Sequence, residues 1–415
     1  MRGSVSPSPP APRLHRRIAH CDLDTFFVAV ERLRDPSLVG KPVLIGGTGP
    51  RSVVATASYE ARAFGCHSAQ PMAQALRLCP QAVVVSSEFG RYRAASVQFH
   101  AVLHDASPLV ESAGLDEAYL DLTGIGEGPD ADRTVATNIR ARVRAEVGIA
   151  VSIGVADGRT TAKVASDRAK PDGLLVVPPG GDAAFLAPLP LRELPMVGPR
   201  LAEQLQAAGV HTIGQAGALD PSWLRARFGG AGVLLAERAH GIDPTPVRTL
   251  PRAPVSVSRE VTFETDVTDI EALRRVLRTH ADRVGADLRH AGRRARTVTL
   301  KLRWSDFTTL TRARTLDQPA RSTAQLAAAG SALLDAVLRE AGRRPVRLIG
   351  LGAINLVEDA VQLGFHDPQL GFDAPQPREE QLDRAVDAIR DRFGPGALSR
   401  GARTVHTREL GPERD

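Results

Sequence analysis

The sequence predicts a multidomain α+β protein, and two observations carry that reading. Residues 16–25 with 88–181, and again residues 255–358, each read strand, helix, strand, strand, helix, strand. Between them, residues 182–248 are mostly helical and punctuated by Gly-Pro. At roughly 150 residues per domain, 415 residues give about three domains with room for a fourth.

The elements follow in order. Residues 1–15, rich in Pro among Ser, Gly and Ala, bury no core and read as a disordered leader. A short strand at 17–22 opens the first unit, and β-branched content predicts further strands at 42–47 and 52–57. Helical patterns follow at 58–64, 71–78 and 88–105, so that 26–87 form an insertion. Residues 109–123 read as a hairpin turning around Ala113-Gly114. Val135, Ile139, Val143 and Val147 recur every fourth residue, which predicts a helix over 132–147, with a strand over 149–155 behind it. A helix over 159–169 ends at Pro171-Asp172-Gly173. After a Pro-containing linker at 249–254, strands near 256–263, 297–303, 308–315 and 346–354 surround helices at 269–290 and 322–341, and Trp304 is expected in their core. In the tail, 359–415, an amphipathic helix over 378–393 gathers Leu382, Val386, Ile389 and Phe393 on one face for docking. The two units share no sequence repeat, so their likeness is one of element order.

Composition narrows the function. Apolar residues at 43% and charged residues at 24% exclude wholesale disorder, collagen and coiled-coil classes. The chain has neither a run of about 18 apolar residues nor a signal-peptide core, which predicts a protein that is soluble and not exported. Cys21, Cys66 and Cys79 are odd in number and widely spaced, which argues against a zinc site or disulfide framework and for a reducing, cytoplasmic setting. The net charge of +6 is unevenly spread. Residues 251–350 hold 19 basic against 11 acidic residues, while 358–415 hold 8 against 12. The first segment suits polyphosphate and the second does not. Only four of the 53 basic residues are lysines, and two of them, Lys163 and Lys170, lie seven apart.

Two constellations carry chemistry. Asp22 and Asp24 end the first strand, and Asp116-Glu117 follow the hairpin turn. Successive strand residues face opposite ways, so Asp116 and Glu117 converge only where the strand is irregular, which a turn at Gly114 allows. Clustered carboxylates suit hard divalent cations such as magnesium; acids capping turns on a solvated edge remain the alternative. Tyr59 and Arg62, three apart, share a helix face. With Lys163 and Lys170 they suit a phosphate chain, against the alternative of a core tyrosine and solvated lysines.

Five ordered motifs, His20-Cys-Asp-Leu-Asp-Thr-Phe-Phe27, Ala57-Ser-Tyr-Glu-Ala-Arg-Ala-Phe-Gly65, Leu115-Asp-Glu-Ala-Tyr-Leu-Asp121, Val151-Ser-Ile-Gly-Val-Ala156 and Ala169-Lys-Pro-Asp-Gly173, resemble those of Y-family translesion DNA polymerases. The resemblance is nearest to the bacterial DNA polymerase IV (DinB) branch and covers roughly residues 16–358. It implies a right-hand polymerase: a ferredoxin-like palm (16–25 and 88–181), small fingers (26–87), a helix-hairpin-helix thumb (182–248) and a βαββαβ little finger (255–358). It implies Asp22, Asp116 and Glu117 as catalytic metal ligands, joined by the Leu23 carbonyl, holding two magnesium ions that manganese can replace. Asp24 belongs to the motif without being assigned as a direct ligand. Phe27 matches the steric gate against the ribose 2′-hydroxyl; Tyr59, Arg62 and Lys170 match the triphosphate ligands, with Lys163 ranked below them. Gly114 departs from the Ser common in relatives, which removes a hydroxyl beside Asp116 but no ligand.

The same resemblance points outward to partners. Gly198, in Pro195-Met-Val-Gly-Pro-Arg200, is expected to present backbone N–H groups to a DNA phosphate. Arg293, Arg294, Arg296, Lys301, Arg303, Arg312 and Arg314 are further candidate phosphate contacts. Gln362, Leu363 and Phe365, and again Gln369, Leu370 and Phe372, resemble shortened sliding-clamp peptides. The expected partners are thus primer-template DNA, deoxynucleoside triphosphates and the clamp, with no membrane and a monomeric chain. Acids outside residues 16–181 form no second cluster, so proofreading is not expected. Two rivals remain: a catalytically silent repair adaptor, and a nucleotide cyclase, which also sets two metal-binding acids on a βαββαβ sheet.

Overall fold

The computed structural model describes residues 15–126, 130–250, 253–358, 378–394 and 396–398. Its contacts divide the chain into two compact units, with Gly47–Val53 and Pro71–Gln74 grouped with the second.

In the first unit, β1 (Ile18–Leu23) runs into α1 (Phe26–Arg34), followed by β2 (Val43–Gly46), β3 (Val54–Ala57), α2 (Tyr59–Arg62), α3 (Met72–Leu78) and β4 (Val83–Val85). Then come α4 (Phe89–Ala106), β5 (Val110–Ser112), β6 (Glu117–Asp121), α5 (Ala131–Glu146), β7 (Val151–Ala156), α6 (Arg159–Ala169) and β8 (Leu174–Val176). The main sheet is ordered β5-β6-β1-β7-β8, and a small sheet is ordered β3-β2-β4. β4 and β8 were not expected from the sequence. Each is three residues long and pairs parallel with a strand distant in sequence, β2 and β7 respectively, so no local turn announces it.

Alternation along β1 sorts its residues. Ala19, Cys21 and Leu23 enter a core with Tyr92, Phe99, Leu103, Ile139 and Val143 of α4 and α5, leaving His20 and Asp22 on the opposite face with α6. Phe26, Val28, Val30, Val43 and Ile45 belong to that same core, so the insertion beginning at residue 26 shares apolar packing with the main sheet.

A helical stretch continues with α7 (Asp182–Leu186), α8 (Pro199–Ala207), α9 (Ile213–Gly217), α10 (Pro221–Phe228) and α11 (Gly230–Ala239), around Leu186, Leu191, Leu205, Ile213, Leu224 and Leu235. Gly198 is the N-cap of α8 and Pro199 its first residue, where the missing N–H costs nothing.

The second unit contains β9 (Ser256–Val267), α12 (Ile270–His290), β10 (Arg293–Trp304), β11 (Thr309–Ala320), α13 (Thr323–Ala341), β12 (Val346–Glu358) and α14 (Arg378–Phe393). Its sheet is ordered β11-β10-β12-β9. Val298, Leu300, Leu302 and Trp304 of β10 pack with Leu277, Val284 and Leu334 of α12 and α13, and Trp304 is fully buried.

The tail helix departs from its expected orientation. Of Leu382, Val386, Ile389 and Phe393 only Val386 is buried; the other three are exposed, and Glu380 and Asp383 are buried instead. Their arginine partners explain the reversal. Glu380 meets Arg294 at 3.0 Å and Arg321 at 3.1 Å, Asp383 meets Arg289 at 3.1 Å, Asp387 meets Arg289 at 2.6 Å, and Arg390 meets Asp282 at 2.6 Å. Satisfying this network outweighs burying three apolar side chains, since an arginine left buried without a partner is the larger penalty.

Candidate active site

The site lies on the face of the main sheet that carries α6. Strands β1 and β6 pair antiparallel with Asp22 opposite Glu117. Asp116 precedes β6, in the turn where Ala113 and Gly114 both donate to the Glu117 carbonyl at 3.0 and 3.2 Å. That irregularity frees Asp116 from strand alternation and brings it to the same site. The Leu23 N–H donates to the Asp116 carbonyl at 2.9 Å, tying the two acid-bearing segments together.

Helix α6 closes over this edge because Gly154 of β7 has no side chain: a Cβ there would lie 2.2 Å from the Ala162 carbonyl oxygen and the Ser166 nitrogen. The close approach delivers two lysines. Lys163 Nζ sits 3.0 Å from both Asp22 Oδ2 and Glu117 Oε2, and Lys170 Nζ sits 2.8 Å from Asp22 Oδ2.

His20, fully buried one alternation before Asp22, completes the cluster. Its Nδ1 is 2.7 Å from Ser166 Oγ and its Nε2 3.3 Å from Glu117 Oε2. Ser166 Oγ also lies 2.8 Å from the Lys163 carbonyl, and a neutral His20 that donates from Nε2 to Glu117 accepts at Nδ1 from that hydroxyl. Ligand atoms of His20, Asp22 and Glu117 all lie within 4.8 Å of one another.

The electrostatics divide the acids. The hydrogen bond from His20 and the Lys163 ammonium hold the Glu117 carboxyl down at about 2. Burial, reinforced by the charge of Asp22, pushes Asp116 up to about 6. Burial works against the Lys163 charge, yet Asp22 and Asp167 raise its pKa above the ordinary lysine value. Adjacent carboxylates that strain against one another and draw ammonium groups onto themselves are what a divalent cation relieves.

Asp24 takes a different part. Its carboxylate accepts from Ser152 Oγ at 3.0 and 3.1 Å, from Tyr59 Oη at 3.1 Å and from the Asp172 N–H. So engaged, it is a fixed acceptor that orients Tyr59. Arg62 donates to the Ala57 carbonyl at 3.0 Å and lies over the Tyr59 ring. Phe27 is half-buried and stacks on Tyr92 at 4.1 Å with planes 11° apart. The Tyr92 hydroxyl donates to the buried Glu31 at 3.0 Å. Sequence reasoning assigned no role to His20, Ser166, Ser152 or Tyr92; the alternation of His20 with Asp22 was the one available signal.

The candidate phosphate contacts of the second unit do not form one surface. Lys301 and Arg303 alternate with buried Leu300 and Leu302 and so face away from α12 and α13, whereas Arg312 and Arg314 pair with Leu300 and Val298 on the helix-covered side. Several are already paired with acids: Lys301 with Glu260 at 2.8 Å, Arg312 with Glu340 at 2.7 Å, Arg294 with Glu380 and Arg293 with Glu358 at 3.3 Å. Arg296 is exposed at a bulge in the β10–β11 pairing. Gln362, Leu363, Phe365, Gln369, Leu370 and Phe372 lie outside the described residues. Among the described residues, no helix is long and apolar enough to cross a membrane.

Known proteins resemble this chain. Residues 21–167 match the impB/mucB/samB family, residues 183–210 its helix-hairpin-helix motif and residues 254–365 its C-terminal domain. A DNA polymerase IV of Dehalococcoides mccartyi (strain CBDB1) is 40% identical over 396 residues, spanning 95% of this chain and 99% of the relative. One from Streptomyces coelicolor is 42% identical over 366 residues, spanning 88% and 75%. The chain belongs to the DNA polymerase IV family.

Solved Y-family DNA polymerases share the fold of this DNA polymerase IV family member. A Y-family DNA polymerase chimera matches with a TM-score of 0.75 at 26% identity, covering 82% of this chain and 99% of the other. The insertion ternary complex of Dbh DNA polymerase matches with 0.59 at the same identity and coverage. The fold is thus that of a multidomain right-hand polymerase, and the family uses divalent metal in catalysis, which the clustered ligand atoms of His20, Asp22 and Glu117 fit.

Proposed function

We propose that this chain is a template-directed, error-prone translesion DNA polymerase. It adds deoxynucleotides to a primer 3′ end without proofreading and serves DNA damage tolerance. The observation that carries the reading is the in-register pairing of Asp22 with Glu117, with Asp116 drawn to the same edge and two lysines bound to these acids. Relatives named DNA polymerase IV along nearly the whole chain weigh against a silent adaptor or a cyclase.

Asp22, Asp116 and Glu117, with the Leu23 carbonyl, would hold magnesium, which when bound supplies Lewis-acid stabilisation of the attacking and leaving oxygens. His20 holds Glu117 ionised and oriented from behind, so that this acid meets a cation without a proton to lose. Lys170, Tyr59 and Arg62 bind the triphosphate, and Lys163 neutralises charge along the same edge. Phe27, its plane fixed by stacking on Tyr92, presents an edge that excludes a 2′-hydroxyl.

The Gly198 N–H is taken by the Met196 carbonyl at 3.1 Å, so the α8 N-terminus behind it offers the Arg200 and Leu201 N–H groups to a DNA phosphate, and Lys301 and Arg303 offer charge from an open sheet face rich in Ser, Thr and Gly. The domain boundaries follow the sequence reading: palm 16–25 and 88–181, fingers 26–87, thumb 182–248, little finger 255–358. We read the chain as a cytoplasmic monomer that engages the sliding clamp through 362–372.

Primer extension tests the whole. Magnesium-dependent extension by the wild type, lost in Asp116→Ala, is expected; equal silence of both proteins under conditions that extend a control polymerase would falsify the reading.

A further inference from the structure

The turn Lys170-Pro171-Asp172-Gly173 carries a candidate triphosphate ligand but little to pack with. Pro171 and Asp172 are exposed, and Asp172 has a φ of 49°, in the left-handed region that few residues besides Gly, Asn and Asp occupy. Gly173 is required by its neighbours, since a Cβ would lie 1.9 Å from the Ala169 carbonyl oxygen. Apolar burial cannot fix such a turn, so polar contacts must.

Every polar group of Asp172 is engaged, from two opposite sides. From within, its N–H donates to Asp24, and the next N–H, that of Gly173, donates to Ser152 Oγ at 3.3 Å. From outside, Arg140 donates to the Asp172 carbonyl and, at 2.9 Å, to its Oδ1, while Arg144 donates to Oδ2. Arg140 and Arg144 are four residues apart on α5 and so share a face. The helix beneath them is anchored in the main core by Ala136, Ile139 and Val143, and Arg140 also reaches the Val151 carbonyl at 3.4 Å. Neither arginine contacts Asp22, Asp116 or Glu117 among the described residues. The inner partner, Asp24, is the carboxylate that also holds Tyr59.

The geometry points to Arg140 and Arg144 as positioning residues for nucleotide binding, acting through Asp172 to hold the turn that presents Lys170. The contacts run from helix α5, through one guanidinium nitrogen from each arginine on the Asp172 carboxylate, to the turn and its lysine. Through Asp24 the same turn is linked to Tyr59, so two triphosphate ligands share one support. A guanidinium fits this task because its Nη2 meets both Asp172 oxygens while its Nε reaches the Val151 carbonyl, a spread of donors that one ammonium nitrogen does not cover. The inference rests on the reading of Lys170 as a triphosphate ligand.

Steady-state single-nucleotide insertion on one primer-template, with magnesium saturating, tests it. Arg140→Ala is expected to raise the nucleotide KM by about 5- to 10-fold, with kcat and DNA affinity within about twofold of wild type. Arg144→Ala should do so less, and Arg140→Lys should fall between Arg140→Ala and wild type. A lowered melting temperature in Arg140→Ala with an unchanged KM would make the arginine a structural brace and overturn the inference. Lys170→Ala separates the two levels. If it raises KM while Arg140→Ala does not, only the clasp fails; if Lys170→Ala leaves KM unchanged, the phosphate reading fails and takes the clasp with it.

Discussion

The two α/β units have the same element order and build different sheets. In the first, the hairpin strand β6 returns inward and lies beside β1; in the second, β11 turns outward to an edge and β12 takes the place beside β9. The inward return sets Asp22 against Glu117 and brings the Asp116 turn to the same strand ends, which makes a concentrated charge site. The outward turn leaves a broad open face where Ser256, Ser258, Thr299, Thr311, Gly350 and Gly352 surround one Lys301–Glu260 pair. Strand order, which local sequence does not encode, decides whether one pattern yields a reaction centre or a surface.

If that division holds, damage to each face should leave the other's property intact. Glu117→Gln removes a candidate metal ligand and should lower primer extension by more than about a thousandfold, roughly 4 kcal/mol of transition-state stabilisation, with DNA affinity nearly unchanged by fluorescence anisotropy. Affinity collapsing along with activity would break the comparison. Phe27→Ala should raise ribonucleotide use relative to deoxynucleotide use by about a hundredfold in kcat/KM, with no effect on DNA binding. In the other unit, Lys301→Ala and Arg303→Ala should each lower the slope of log affinity against log salt by about one, leaving kcat on saturating DNA unaltered.

The smallest effect sharpens the comparison through pH. Asp116 has its carboxyl raised to about 6 from an ordinary value near 3.8. A carboxyl raised on folding favours the folded state fully below its unfolded pKa, and that contribution is lost as pH rises through about 6. Asp116→Asn should therefore raise the melting temperature of the chelator-treated protein at pH 8, by about 2–4 °C for each kcal/mol recovered, and should do little near pH 3.5. An equal shift at both pH values would assign the gain to packing instead of charge.

Much of this was legible before any coordinates. The acidic constellation of Asp22, Asp24, Asp116 and Glu117, the turn that lets the last two converge, and the helix carrying Lys163 follow from alternation, spacing and a Gly-containing turn, whereas the choice of 22, 116 and 117 among the acids came from the family resemblance. What stayed hidden were properties of pairs distant in sequence. The strands β4 and β8 are short valine- and leucine-rich runs that exist because a parallel partner awaits them. The bond between His20 and Ser166 spans 146 positions. Arg140 and its partner Asp172 lie 32 positions apart. Hydropathy gave the wrong face of α14, because its rule takes apolar burial to be the strongest pull, and beside Arg289, Arg294 and Arg321 it was not.

That helix has a consequence for register. An apolar face can slide along a greasy groove at small cost, since one methyl group replaces another. The carboxylates at 380, 383 and 387 each answer a particular guanidinium, and Arg390 answers Asp282. A shift by a single turn would strand several charges at once, each worth a few kcal/mol when buried without its partner. The helix therefore has one seat on the second unit.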